Sequence, residues 1–70
     1  MNKDILDPKT LGQRLKHLIK ESGKSQESFA EKIYVEARTL RRWIKDGFDK
    51  ISIAVTCADA LGVDVKAILF

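Results

Sequence analysis

Leu11, Leu15, Leu18 and Ile19 recur at three- and four-residue spacing, the period that places apolar side chains on one face of an α-helix. Every later segment repeats that period. Phe29, Ala30 and Ile33 mark a second segment, Ala37, Leu40, Trp43 and Ile44 a third, Ile51, Ala54, Val55, Ala58 and Leu61 a fourth, and Val65, Ile68 and Leu69 a fifth. No run alternates apolar with polar residues as a half-buried strand would. The expectation is an all-α chain of five short helices in a single domain spanning 1–70. Seventy residues leave room for one small core and none for an elaborate active site.

Local punctuation sets the expected boundaries. Asp7-Pro8 reads as a cap followed by a first-turn proline, with Thr10-x-x-Gln13 as a capping box, so the first helix runs from about 8 to 21 and residues 1–7 form a loose N-terminus. Ser22-Gly23 ends that helix, and Ser25 is suited to accept the unpaired N–H groups of a second helix over about 26–33. Asp46-Gly47 stops the third. Asp49 is expected to cap the fourth helix, which Gly62 ends, and Asp64 to cap the last.

Charge is concentrated in the third helix. The net charge is +3, and residues 36–45 hold Arg38, Arg41, Arg42 and Lys45 against Glu36 alone, while the nine basic and nine acidic residues elsewhere cancel. On a wheel of 100° per residue with Leu40 at zero, Ile44, Ala37 and Trp43 fall within about 60° of it. Lys45, Arg38 and Arg42 lie opposite, at about 140° to 200°, with Arg41 and Thr39 on the flanks. One face is therefore apolar and the other cationic. Guanidinium groups carry a planar fork of donors that matches guanine edges and phosphates. The bland alternative is a solvated basic face.

Other chemistry lacks parts. His17 and Cys57 are the only His and Cys, no glycine-rich phosphate loop is present, and no spacing suits zinc, so no enzyme, metal, cofactor or small-molecule ligand is expected. Cys57 reads as a small buried hydrophobe and His17 as a surface residue. One cysteine permits no internal disulfide. The start, MNKDILDPKT, has two acids and no apolar stretch, and nothing approaches the roughly 18 apolar residues of a membrane span, so a cytoplasmic, membrane-free protein is expected.

With GKSQESFAEKI, VEARTLRRW and ADALGVDVKAIL in this order, the chain from Leu11 to Leu69 resembles the Cro/CI-type, or XRE-type, helix-turn-helix family. The resemblance implies a compact five-helix, lambda-repressor-like DNA-binding domain with its helix-turn-helix at about 25–45. In that family the third helix enters the major groove and the start of the second rests on the backbone. Carried over by motif position, Arg38, Thr39 and Arg42 face base edges, and Ser25, Gln26, Arg41 and Lys45 meet phosphates. Thr39 has a second reading, a hydrogen bond to its own helix.

Four departures from the family pattern shape a rival expectation. Glu36 stands where Ser or Thr is common, Tyr34 where a turn glycine is usual, and the DGFDK loop carries Asp46 and Asp49 where relatives have Lys, Arg and Pro. Ile19 and Ile44 replace an Arg and a Glu that join the first and third helices in many relatives, and are expected to pack together. The leading expectation is a transcriptional regulator of a phage or bacterial genetic switch, binding a double-stranded DNA operator as a homodimer. The alternative is a modulator or antirepressor that binds a partner repressor through Tyr34, Glu36 and Phe70, the apolar tail either closing the core or meeting that partner.

Overall fold

A computed structural model describes residues 7–70, which form α1 (Pro8–Glu21), α2 (Gln26–Lys32), α3 (Ala37–Asp46), α4 (Ile51–Leu61) and α5 (Lys66–Leu69). The chain is all-helical over this span, as the periodicity predicts. Of the N-terminus expected to be loose, residues 1–6 lie outside the described residues and Asp7 is held. Its carboxylate accepts from the Thr10 N–H at 3.2 Å and from the Thr10 hydroxyl at 2.7 Å. Asp7 thus caps α1, with Pro8 in the first turn. The Thr10 capping box does not form, because Thr10 already lies inside the helix that Asp7 opens.

Ser25 does cap α2, its hydroxyl accepting from the Ser28 N–H at 3.0 Å. The other end of α2 is a Schellman turn: the Tyr34 N–H donates to the Glu31 carbonyl and the Val35 N–H to the Ala30 carbonyl, at 3.1 and 3.0 Å. Tyr34 sits at the left-handed position with φ 60, where a side chain is strained. The chain then enters α3 through Glu36, whose carboxylate makes no capping bond.

Gly47 ends α3 at φ 94, and a Cβ there would collide with the Pro8 backbone. The following turn returns Phe48 to the start of α1, its N–H donating to the Pro8 carbonyl at 3.3 Å. The Phe48 ring is buried and packs tilted at 58° against Trp43, with the centroids 6.3 Å apart. This turn carries the chain to Lys50 before α4 begins, so the cap expected at Asp49 is not made: Lys50 holds that position and no side chain caps the helix.

The buried face of α4 also differs from the periodic reading. Ala54, Cys57 and Ala58 are buried, whereas Ile51 and Val55, expected inside, are 52% and 49% exposed. The inward face runs instead through Ile53, Ala54, Cys57 and Ala58. The core is completed by Leu11, Leu15 and Ile19 of α1, Phe29 and Ala30 of α2, Leu40 of α3 and Ile68 of α5. Ile44 packs half-buried against the cluster that contains Ile19.

Gly12 explains how α1 and α3 fit. A Cβ at Gly12 would press into the Trp43 and Ile44 carbonyl oxygens, so the helices touch backbone to backbone at this point. A mid-helix glycine costs about 1 kcal/mol relative to Ala, and the close contact is what it permits.

At the C-terminus, the Asp64 carboxylate accepts from the Lys66 N–H at 3.0 Å, but the cap expected there is not made: Val65 holds the position before α5 and no side chain caps the helix. Arg14 Nη1 donates to the Ile68 carbonyl at 3.0 Å and ties α5 to α1. Cys57 is fully buried, and burial pushes its thiol up to about 11. Among the described residues no helix is long and apolar enough to cross a membrane.

Candidate nucleic-acid interface

The anchoring of α3 decides which of its side chains face out. Leu40 is fully buried, and Ala37, Trp43 and Ile44 pack half-buried against the core. Arg38, Arg42 and Lys45 are exposed on the opposite face, as the helical wheel predicts, and Arg41 is exposed beside them. Seven residues separate Arg38 from Lys45, about 10.5 Å along the axis. That length matches roughly three base-pair steps of about 3.4 Å.

The cations differ in their partners. Arg41 Nη2 donates to Glu27 Oε2 at 3.0 Å, linking α3 to α2. The phosphate-facing role expected of Arg41 therefore competes with a carboxylate. Both side chains are more than half exposed, so the pair contributes at most about 1 kcal/mol, little enough for a phosphate to replace. Asp46 stands one turn after Arg42, yet no ion pair joins them among the described residues. Arg38, Arg42 and Lys45 thus project without an intramolecular carboxylate among the described residues.

Thr39 lies half-buried on the flank, and its hydroxyl makes no hydrogen bond to its own helix among the described residues. Ser25 is exposed, with its hydroxyl oxygen engaged as the α2 cap, and Gln26 is half-buried next to it. Glu36 is exposed at the start of α3, where its charge complements the helix dipole. Tyr34 is 95% exposed and Phe70 67% exposed, so the tail does not use its last ring to close the core.

Two features escaped the periodic reading. Glu27 was silent in the sequence because its partner Arg41 is 14 residues away and only the α2–α3 packing brings them together. The second is a groove of about 200 Å³ between α1 and α2, lined by Lys16, Ile19, Lys20, Lys24 and Gln26. Its signal was present in the one-turn spacing of Lys16 and Lys20. His17, as expected, is a surface residue, with Nε2 at 3.1 Å from Glu21 Oε2.

Comparison of the chain with protein-family models, with curated proteins and with solved structures gives no match.

Proposed function

We propose that this protein is a helix-turn-helix regulator that binds double-stranded DNA, with α2 and α3 forming the motif and α3 lying in the major groove. One observation carries the reading. The apolar face of α3 is locked into the core at Leu40, and the opposite face presents Arg38, Arg42 and Lys45 without intramolecular carboxylate partners among the described residues. A helix with its diameter of about 10 to 12 Å fits a major groove about 12 Å wide. In that pose Arg38 and Arg42 reach base edges, Thr39 contacts a neighbouring base or methyl group, and Arg41, Lys45, Ser25 and Gln26 approach phosphates. Phosphate contacts set orientation and affinity, and the base-edge contacts carry sequence.

One α3 covers few base pairs, so useful specificity calls for two copies on half-sites about 34 Å apart. The protein acts by occupancy, blocking or recruiting the transcription machinery at an operator of a phage or bacterial switch.

The test is fluorescence anisotropy of a duplex from the promoter region of the source gene, with a scrambled duplex beside it at two salt concentrations. Sequence-preferring binding that weakens with salt is the expected result. Arg38→Ala with Arg42→Ala is expected to lose about 1 to 3 kcal/mol per base-edge contact and most of the preference. Wild-type affinity and preference in that double variant would remove these two residues from the interface.

A second reading has its own observation. Tyr34 is 95% exposed and borders an open hollow of about 360 Å³ with Lys32, Ile33, Thr56, Asp59 and Ala60, none of them an α3 cation. A large amphipathic ring beside a recess suits a protein partner. Under this reading the domain is a modulator that docks on a partner repressor, with Glu36 and Phe70 as further contacts.

A further inference from the structure

We propose that the α1–α2 groove is a second seat for the DNA backbone, in which Lys16, Lys20 and Lys24 neutralise phosphates flanking the base pairs under α3. This inference rests on the DNA reading above and extends its footprint onto α1. The groove is open and is lined by Lys16, Lys20, Lys24 and Gln26 around the buried Ile19. No acidic residue lines it. The two acids nearest in sequence are turned to other partners, Glu21 to His17 and Glu27 to Arg41. Among the described residues, none of the three lysines has an ion-pair partner.

Lys16 and Lys20 stand one turn apart on α1, where like charges repel, and an anion in the groove turns that repulsion into attraction. Lysine is a flexible point charge that suits a phosphate contact indifferent to sequence, whereas the arginines of α3 have the fork for base edges. Gln26 belongs both to this groove and to the start of α2, so a backbone resting on α2 continues into the groove. Division of labour follows: arginines on α3 for sequence, lysines on α1 and the α1–α2 turn for affinity.

The experiment compares wild type with Lys16→Gln/Lys20→Gln/Lys24→Gln on specific and scrambled duplexes between 50 and 200 mM salt, with thermal melting to verify the fold. Each phosphate contact contributes about 0.9 to the slope of log affinity against log salt. Two to three contacts therefore make the wild-type loss of affinity over this range roughly 10- to 40-fold greater than that of the triple variant. The expected loss at low salt is equal on both duplexes, so sequence preference survives.

A wild-type protein that binds specifically, with an unchanged salt slope in the folded triple variant, overturns the groove while leaving the DNA reading intact. Loss confined to the specific duplex also overturns it, since the lysines would then serve sequence readout. Absence of wild-type binding to either duplex overturns both readings. A poly-glutamate peptide titrated in parallel covers the remaining occupant: tighter binding of that peptide than of scrambled duplex, abolished in the triple variant, assigns the groove to an acidic protein segment and overturns the proposal.

Discussion

Tyr34 carries the clearest local conflict between backbone and side chain. It holds φ 60 at the left-handed position of the turn after α2, with its ring almost wholly in solvent. The conformation costs an L-residue about 1 to 2 kcal/mol, and glycine would relieve it at an entropic cost of about 0.5 to 1 kcal/mol. Tyr34→Gly is therefore expected to raise the unfolding free energy by about 0.5 kcal/mol in urea denaturation. DNA affinity in this variant should be unchanged, while binding of a protein partner at the Tyr34 hollow should fall. A loss of stability would show that the ring makes favourable contacts absent from the structure. The left-handed conformation belongs to the turn that closes α2, which Tyr34 adopts in spite of its side chain.

Helix ends were the most legible elements, because the residues that cap them act within three or four positions of themselves. Asp7 and Ser25 each accept from a backbone N–H three residues on, and Gly47 terminates α3. Asp49 is not the cap because Lys50 holds the position before α4, in a loop whose Phe48 packs beside Trp43 and bonds through its N–H to the Pro8 carbonyl, contacts distant in sequence. The contact between α1 and α3 is equally non-local. Gly12→Ala would gain about 1 kcal/mol of helix propensity and lose more to overpacking, since the new methyl meets two carbonyl oxygens that cannot rotate away. A net destabilisation of about 1 to 2 kcal/mol is expected from thermal or urea unfolding. Unchanged or increased stability would mean that α1 and α3 stand further apart than the structure places them.

Cys57 places one titratable thiol in a core whose other described members are apolar. Burial raises the Cys57 thiol from 9.0 to about 11, so the folded state retains a proton that the unfolded state has begun to release. The stability this contributes is fully present below pH 9 and is lost as pH rises towards 11, by at most about 1.4 kcal/mol per pH unit. Cys57→Ala has no thiol to ionise, and its stability should fall less steeply than that of wild type over this window, as measured by urea denaturation at fixed pH steps. Equal slopes would show that Cys57 reaches solvent. Charge is distributed differently from the core: the arginines of α3 and the lysines beside α2 both lie outside it, which frees them for a ligand.

Helix number, approximate boundaries and the outward direction of Arg38, Arg42 and Lys45 were encoded locally, because apolar period and capping chemistry operate along one helix. The folded arrangement settled what depends on neighbours. The Glu27–Arg41 pair, the exposed Ile51 and Val55 and the Phe48 turn all arise from residues distant in sequence, and no single-helix pattern records which neighbour arrives. The groove of Lys16, Lys20 and Lys24 belongs to both kinds. Its lysine spacing is written in α1, but its opening beside Gln26 exists only where α2 packs against that helix, since a groove requires two walls.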